Sequence, residues 1–172
     1  MTTDTLHVMK EADETRGDQT APAAIDTELF LDLEASSSYW IEVGINFRAY
    51  TNYTVRLYHS LRYDQTLYEP LMHVYHRSMG AGYTSRYEDM PGSYMHSFLS
   101  QAGLATEPYV FNATAENSTL RGLIWYSGRI TTNEAGRLGF WWRHWDNGGA
   151  AKASTIFAGS WLYATPLDIC PI

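Results

Sequence analysis

The stretch YWIEVGINFRAY, Tyr39 to Tyr50, sets Ile41, Val43, Ile45 and Phe47 on one side and Glu42, Asn46 and Arg48 on the other. Successive side chains of a strand point to opposite faces, so this alternation predicts a strand with one buried face. The pattern spreads outward. TELFLDLEA (27–35) alternates Leu29, Leu31 and Leu33 with charged neighbours, and NYTVRLYHS (52–60) groups Tyr53, Val55 and Leu57. LMHVYHR (71–77), YVFNATA (109–115), STLRGLIWYSGRIT (118–131), GRLGFWWRHW (136–145) and STIFAGSWLYAT (154–165) continue it. TTNEAG and DNGGAA read as turns between them, Asn147-Gly148 being a hairpin signal. Strands with turn punctuation and almost no helical period predict an all-β, antiparallel β-sandwich or jelly roll over residues 25–172.

Two regions break the pattern. Residues 1–24 carry few large apolar side chains and read as an extended acidic N-terminal arm, with a short helix around Leu6–Ala12. An ordered arm of this composition would be held by a neighbouring chain. Residues 78–108 contain Gly80, Gly82, Pro91, Gly92, Gly103 and Pro108, with Tyr83, Tyr87, Tyr94 and Phe98 between them. This predicts a long contact loop with a helical turn around Tyr94–Ala102. Within STIFAGSWLYAT, Gly159 reads as a strand glycine crowded by a bulky ring, with Trp161 and the indoles of FWWRHW as the crowding groups. Ser160 and Leu162 would then face inward, and Trp161 and Tyr163 outward.

The 172 residues suit one domain large enough to bury a core, and a single cysteine, Cys170, excludes an intrachain disulfide. The net charge of −7 is unevenly placed. Residues 1–34 hold nine acids and two bases; residues 35–172 hold ten of each. A neutral aromatic body with an acidic arm argues against nucleic acid as a partner. No run of 18 apolar residues predicts a membrane span, and the start lacks the pattern of a signal peptide. The N-x-S/T triplets at Asn52, Asn112 and Asn117 then read as chance.

Chemistry-bearing constellations are not evident. His73 and His76 would lie on opposite faces of a strand, and His59, His96 and His144 lack Cys or acidic neighbours at ligand spacing. Glu88-Asp89 reads as a solvated pair in a loop. Phosphate-cradle and nucleophile-elbow motifs are missing from the sequence. Neither a catalytic set, a cofactor nor a metal is expected. The strongest remaining signal is LGFWWRHW, with Leu138, Phe140 and Trp142 on one side and Trp141, Arg143 and Trp145 on the other. Arg143 between two indoles suggests a cation–π stack. The strand can be buried on both faces, form an oligomer interface rich in Trp and Arg, or offer rings for sugar stacking.

SSSYWIEVGINFRAYTNYTVRLYHS (36–60) and LRGLIWYSGRITTNEAGRLGFWWRHWDNGGAAKASTIFAGSWLYATPL (120–167) resemble segments of small β-sandwich virion proteins of tailed bacteriophages. Tyr39, Glu42, Gly122, Leu123, Gly136, Leu138, Phe140, Trp142, Gly159, Ser160, Trp161 and Leu162 carry the resemblance. It implies a jelly-roll-like domain, commonly trimeric, that decorates and cements the capsid exterior after assembly in the host cytoplasm. On that expectation Trp141, Trp142, Arg143, Trp145, Trp161, Tyr163, Tyr39 and Trp40 form the interface between copies. Leu6, Val8, Met9 and Ile25 touch the major capsid protein. The alternative is a tail-fibre or head-fibre module whose aromatic surface binds host glycan. A cupin-like metal enzyme on the same sandwich would need a His and carboxylate cluster.

Overall fold

The computed structural model describes residues 4–17, 24–51, 55–65, 67–79, 94–96, 109–112, 118–146 and 153–167. Among these residues there are twelve strands and no helix. They are β1 (Leu6–Met9), β2 (Glu14–Arg16), β3 (Ala24–Leu33), β4 (Ser38–Thr51), β5 (Val55–Tyr63) and β6 (Leu67–Met79), then β7 (Tyr94–His96), β8 (Tyr109–Asn112), β9 (Ser118–Thr132), β10 (Gly136–Asp146), β11 (Ser154–Ile156) and β12 (Trp161–Pro166). All pairings are antiparallel. The first sheet runs β1-β12-β4-β9-β6-β7, with β11 joining β4 to β2; the second runs β3-β10-β5-β8.

This order identifies the roll. With β1, β3, β4, β5, β8, β9, β10 and β12 counted as eight successive strands, the sheets read 1-8-3-6 and 2-7-4-5. That is the two-Greek-key order of a jelly roll. β6 and β7 are an insertion between the fourth and fifth strands, and they widen the first sheet beyond β9.

The alternation in the sequence becomes the core. Ile41, Val43, Ile45 and Phe47 from β4 meet Leu138, Phe140 and Trp142 from β10, and all seven are buried. Ile124, Tyr126 and Ile130 from β9, Leu57 and Leu61 from β5, and Leu162 and Ala164 from β12 complete the interior. Removing this apolar area from water is the main stabilising term, at about 25 cal/mol per Å².

Three segments differ from expectation. Residues 6–9 form a strand, where a helical turn was predicted. β1 pairs with β12 from Leu6↔Ala164 to Met9↔Trp161, so the sandwich takes in part of the predicted arm as its first strand. Leu6 and Val8 pack against the core at period two, with His7 and Met9 outward. Residues 1–3 and 18–23 of that arm lie outside the described residues. Of the predicted contact loop, Ser78 and Met79 extend β6 and Tyr94–His96 is a strand paired with β6, where a helical turn was expected; the rest of it, Glu88-Asp89 included, lies outside the described residues. So does the DNGGAA turn beyond Asp146.

The third difference is at Ala158-Gly159. STIFAGSWLYAT is two strands, β11 and β12, separated by a turn. Gly159 has φ of 80°, the left-handed region that favours glycine, and a Cβ there would meet nothing within 4 Å. Crowding is therefore not its reason. The turn is clasped by the β1–β2 connection. The Gly159 N–H donates to the Lys10 carbonyl at 2.8 Å, the Lys10 N–H donates to the Ser160 carbonyl at 2.8 Å, and the Ala158 N–H donates to Asp13 at 2.8 Å. Ser160 does face inward, where its Oγ accepts the Asn46 N–H at 3.0 Å.

Ionic contacts reinforce the pairing of β1 with β12 and of β2 with β11. The Lys10 side chain is 1% exposed, and its ammonium lies 2.8 Å from Asp26, 3.2 Å from Glu14 and 3.7 Å from Glu28. Asp26 also accepts the Trp142 Nε1–H at 3.1 Å and the backbone N–H of Glu28 and Leu29. Arg16 lies 4.2 Å over the Trp142 ring and donates to the carbonyls of Trp142, Ala24 and Ile25. Two cations thus plug the corner where β2 and β3 pass β10. Burial pulls the Lys10 pKa down, but Asp26 and Glu14 outweigh it and the value is raised.

Burial alone would raise the Glu14 pKa. Hydrogen bonds from the Thr27 N–H and hydroxyl and from Arg16 outweigh it and hold the carboxyl at about 2, against 4.5 unperturbed. A depressed carboxylate stabilises the fold above its unfolded pKa, and this is lost as pH falls through the folded one. Urea midpoints should therefore fall between pH 4.5 and 2. The Glu14→Gln variant should show a shallower fall; an equal slope in both proteins would remove Glu14 from the acid response.

Candidate binding surfaces

Polar groups inside the roll are absorbed by packing. His59 is buried against Phe140, with Nδ1 2.6 Å from the Tyr126 hydroxyl. His144 is buried with Nδ1 2.9 Å from Ser154 Oγ. Among the described residues no group of three His, Cys, Asp or Glu side chains is placed to hold a metal ion, and no helix is long and apolar enough to cross a membrane. The side chains of His73, His76 and His96 lie outside the described residues. The two outward faces of the sheets carry the remaining large side chains.

The outward face of the second sheet is built on β10. Because Leu138, Phe140, Trp142 and His144 point inward, Trp141 and Arg143 point outward, each half-buried. Arg62 of β5 lies 5.1 Å over the Trp141 ring. Nearer the other end of β10, Arg137 stacks 4.3 Å over Phe30 and pairs with Asp32 at 2.8 Å. Ile25 fills the space over Gly139, where a Cβ would come within 2.4 Å of it. The predicted stack of Arg143 between Trp141 and Trp145 falls partly outside the described residues, and the cation seen over Trp141 is Arg62. Trp145 lies in β10, but its side chain is outside the described residues.

Two predicted interface residues sit inside the core of their own chain. Trp142 is fully buried with its N–H on Asp26, and Tyr39 is buried with its hydroxyl accepting the Glu34 N–H at 3.1 Å. Both supply core, not surface, because each lies on the inward side of its strand's alternation. Of the predicted capsid-contact residues, Leu6 and Val8 pack on their own chain's core and Ile25 covers Gly139. Met9 remains open, at 53% exposure.

The outward face of the first sheet holds Trp40, Trp161 and Tyr163, and with them residues the sequence analysis did not single out. β4 and β9 pair as Trp40↔Arg129, Glu42↔Ser127 and Gly44↔Trp125. β12 pairs as Trp161↔Gly44 and Tyr163↔Glu42, and β1 adds His7 beside Tyr163. Gly44 is needed here: a Cβ on it would lie 2.5 Å from Cε2 of Trp161, whose indole crosses the strand at that point. The Trp161 ring then reaches Trp125 edge to face at 5.9 Å and Tyr163 at 4.9 Å. Trp40 and Trp125 are 41% and 39% exposed. Between them lie Glu42 and Ser127, with Arg129 opposite Trp40, and these three side chains make no hydrogen bond or ion pair among the described residues. Trp125 was legible in principle, since it alternates with Ile124 and Tyr126. Its neighbours were not, because they come from pairing registers.

No family model matches the chain, and neither does any curated protein or solved structure.

Proposed function

We propose that the protein is a structural virion component, a decoration or cement protein on the capsid exterior that acts by adhesion and carries out no catalysis. It assembles as a homotrimer and clamps neighbouring major capsid subunits. The sequence resemblance supports this reading, and so does the jelly-roll order of the strands. The observation that carries it is the outward face of β10, where Trp141 and Arg143 are half-buried beside Arg62, Phe30 and Arg137. Trp and Arg are the residues enriched at interface centres. A charged guanidinium over an indole is worth about 2 kcal/mol or more once water is excluded, against about 0.5–1 when exposed. Burial against another copy strengthens such a stack.

Light scattering on the purified chain should give three times the 19.5 kDa chain mass. Trp141→Glu should shift it to one chain with the cooperative thermal transition retained. Co-sedimentation with capsid shells should require the trimeric form. A wild-type protein that is monomeric at micromolar concentration and ignores shells would end this proposal.

A further inference from the structure

We infer that the outward face of the first sheet is a saccharide-binding site, a slot between Trp40 and Trp125 that takes a neutral oligosaccharide of at least two pyranose rings. The two indoles are set by the pairings Trp40↔Arg129 and Gly44↔Trp125, four residues apart along the strands, or ~13 Å. Each presents about two-fifths of its surface. Pyranose rings carry an apolar face of axial C–H groups, and such faces cover the ring of an exposed indole.

The floor between the indoles supplies the polar half of recognition. Glu42 and Ser127 face each other across the strand pair, and Arg129 lies beside Trp40. A carboxylate and a guanidinium each present two parallel groups, which match the paired hydroxyls of a vicinal diol. These side chains have no partner among the described residues, so no protein hydrogen bond is broken when sugar hydroxyls reach them. Among the described residues the floor carries one carboxylate and one guanidinium, which sum to zero formal charge and favour a neutral glycan over a sialylated or sulfated one. Trp161 holds Trp125 edge-on, and Tyr163 packs against Trp161 behind it.

Composition separates this occupant from a second protein chain. A large aromatic side chain carries at most ~250 Å². Exposures of 41% and 39% therefore leave about 200 Å² of open indole on this face. The centre of a protein interface is depleted of Glu and Ser, whereas here Glu42 and Ser127 lie at the centre, between the two indoles. Open rings flanking a polar floor suit sugar rings. The site is independent of the oligomer interface, which lies on the other sheet.

The test uses the full chain on a printed array of neutral, sialylated and sulfated oligosaccharides. A neutral member that binds is then titrated while indole fluorescence is followed. Neutral oligosaccharides should bind and shift the emission. Trp40→Ala and Trp125→Ala should each weaken binding about tenfold or more. Glu42→Gln should weaken it several-fold, each variant melting as wild type does. If Trp125→Ala melts early, Trp125→Phe keeps a ring and should keep most of the affinity. Trp141→Glu should leave the glycan affinity unchanged, whatever it does to the oligomer. Array binding confined to acidic glycans, or no binding at millimolar neutral sugar, overturns the inference. So does a Trp40→Ala/Trp125→Ala double variant that binds as wild type, or a Trp125→Ala variant that changes the oligomeric mass.

Discussion

Asp26→Ala should destabilise the protein by about 3–5 kcal/mol, the usual cost of removing one partner from a buried ion pair. Asp26 is completely buried and serves four donors: the Lys10 ammonium, the Trp142 indole N–H, and the backbone N–H groups of Glu28 and Leu29. Alanine leaves an ammonium with 1% exposure facing a methyl group. Glu14 at 3.2 Å remains, but Arg16 already engages it. The midpoint of thermal unfolding should fall by on the order of 10 °C, at about 2–4 °C per kcal/mol for a chain of this size. Local opening should precede global loss, because β1 and β2 depend on this corner. Amide exchange at Leu6–Met9 should accelerate more than exchange at Ile41–Phe47. The Lys10→Met/Asp26→Asn double variant removes both charges and keeps an acceptor for Trp142, so it should recover much of the loss. A loss under 1 kcal/mol for Asp26→Ala would show that the cluster is decorative.

The strand pattern was open to reading because period two is a local property. Ile41, Val43, Ile45 and Phe47 announce their buried face within seven residues, and Leu138, Phe140 and Trp142 do so within five. The first strand of the roll was concealed for a physical reason. Leu6 and Val8 are too few to signal burial, and the side chains that anchor the β1–β2 corner are Lys10 and Arg16, residues that composition assigns to solvent. A charge is buried only when its partners are in place, and those partners sit sixteen residues on in sequence, at Asp26, and on β10. The slot on the first sheet was hidden in the same way. Trp40, Glu42 and Trp125 become neighbours only when β4 and β9 pair in one register. Trp142 and Tyr39 were misplaced as surface because aromatic content, unlike alternation, does not tell inside from outside. The two glycines show the difference most directly: Gly159 stood out within an apolar run, whereas Gly44 sat unremarked inside the most regular strand of the chain.

Gly44→Val should cost about 2 kcal/mol, and the whole effect should run through Trp161. Valine at a strand position ordinarily gains relative to glycine, by roughly 1 kcal/mol from backbone entropy and strand preference. Overpacking opposes this with about 1–3 kcal/mol, and the added γ-methyls place the clash at the upper end. The first atom alone already fails: a Cβ on Gly44 comes within 2.5–2.7 Å of three atoms of the Trp161 indole. That ring cannot rotate aside freely, since Tyr163 lies 4.9 Å away on one side and Trp125 lies edge-on at 5.9 Å. Either the indole leaves the face or β12 parts from β4, and near-UV circular dichroism should change in both cases. Gly159→Val should lose stability for a different reason, the left-handed φ of 80°, at about 1–2 kcal/mol or more for a β-branched residue. Similar losses at the two glycines are told apart by a second substitution. Trp161→Ala opens the space that a side chain at position 44 requires, so Gly44→Val should be close to neutral in that background. Gly159→Val should cost the same with or without Trp161, because nothing lies within 4 Å of its Cβ. Equal rescue at both positions, or rescue at neither, would refute the assignment of Gly44 to the seat of the Trp161 ring.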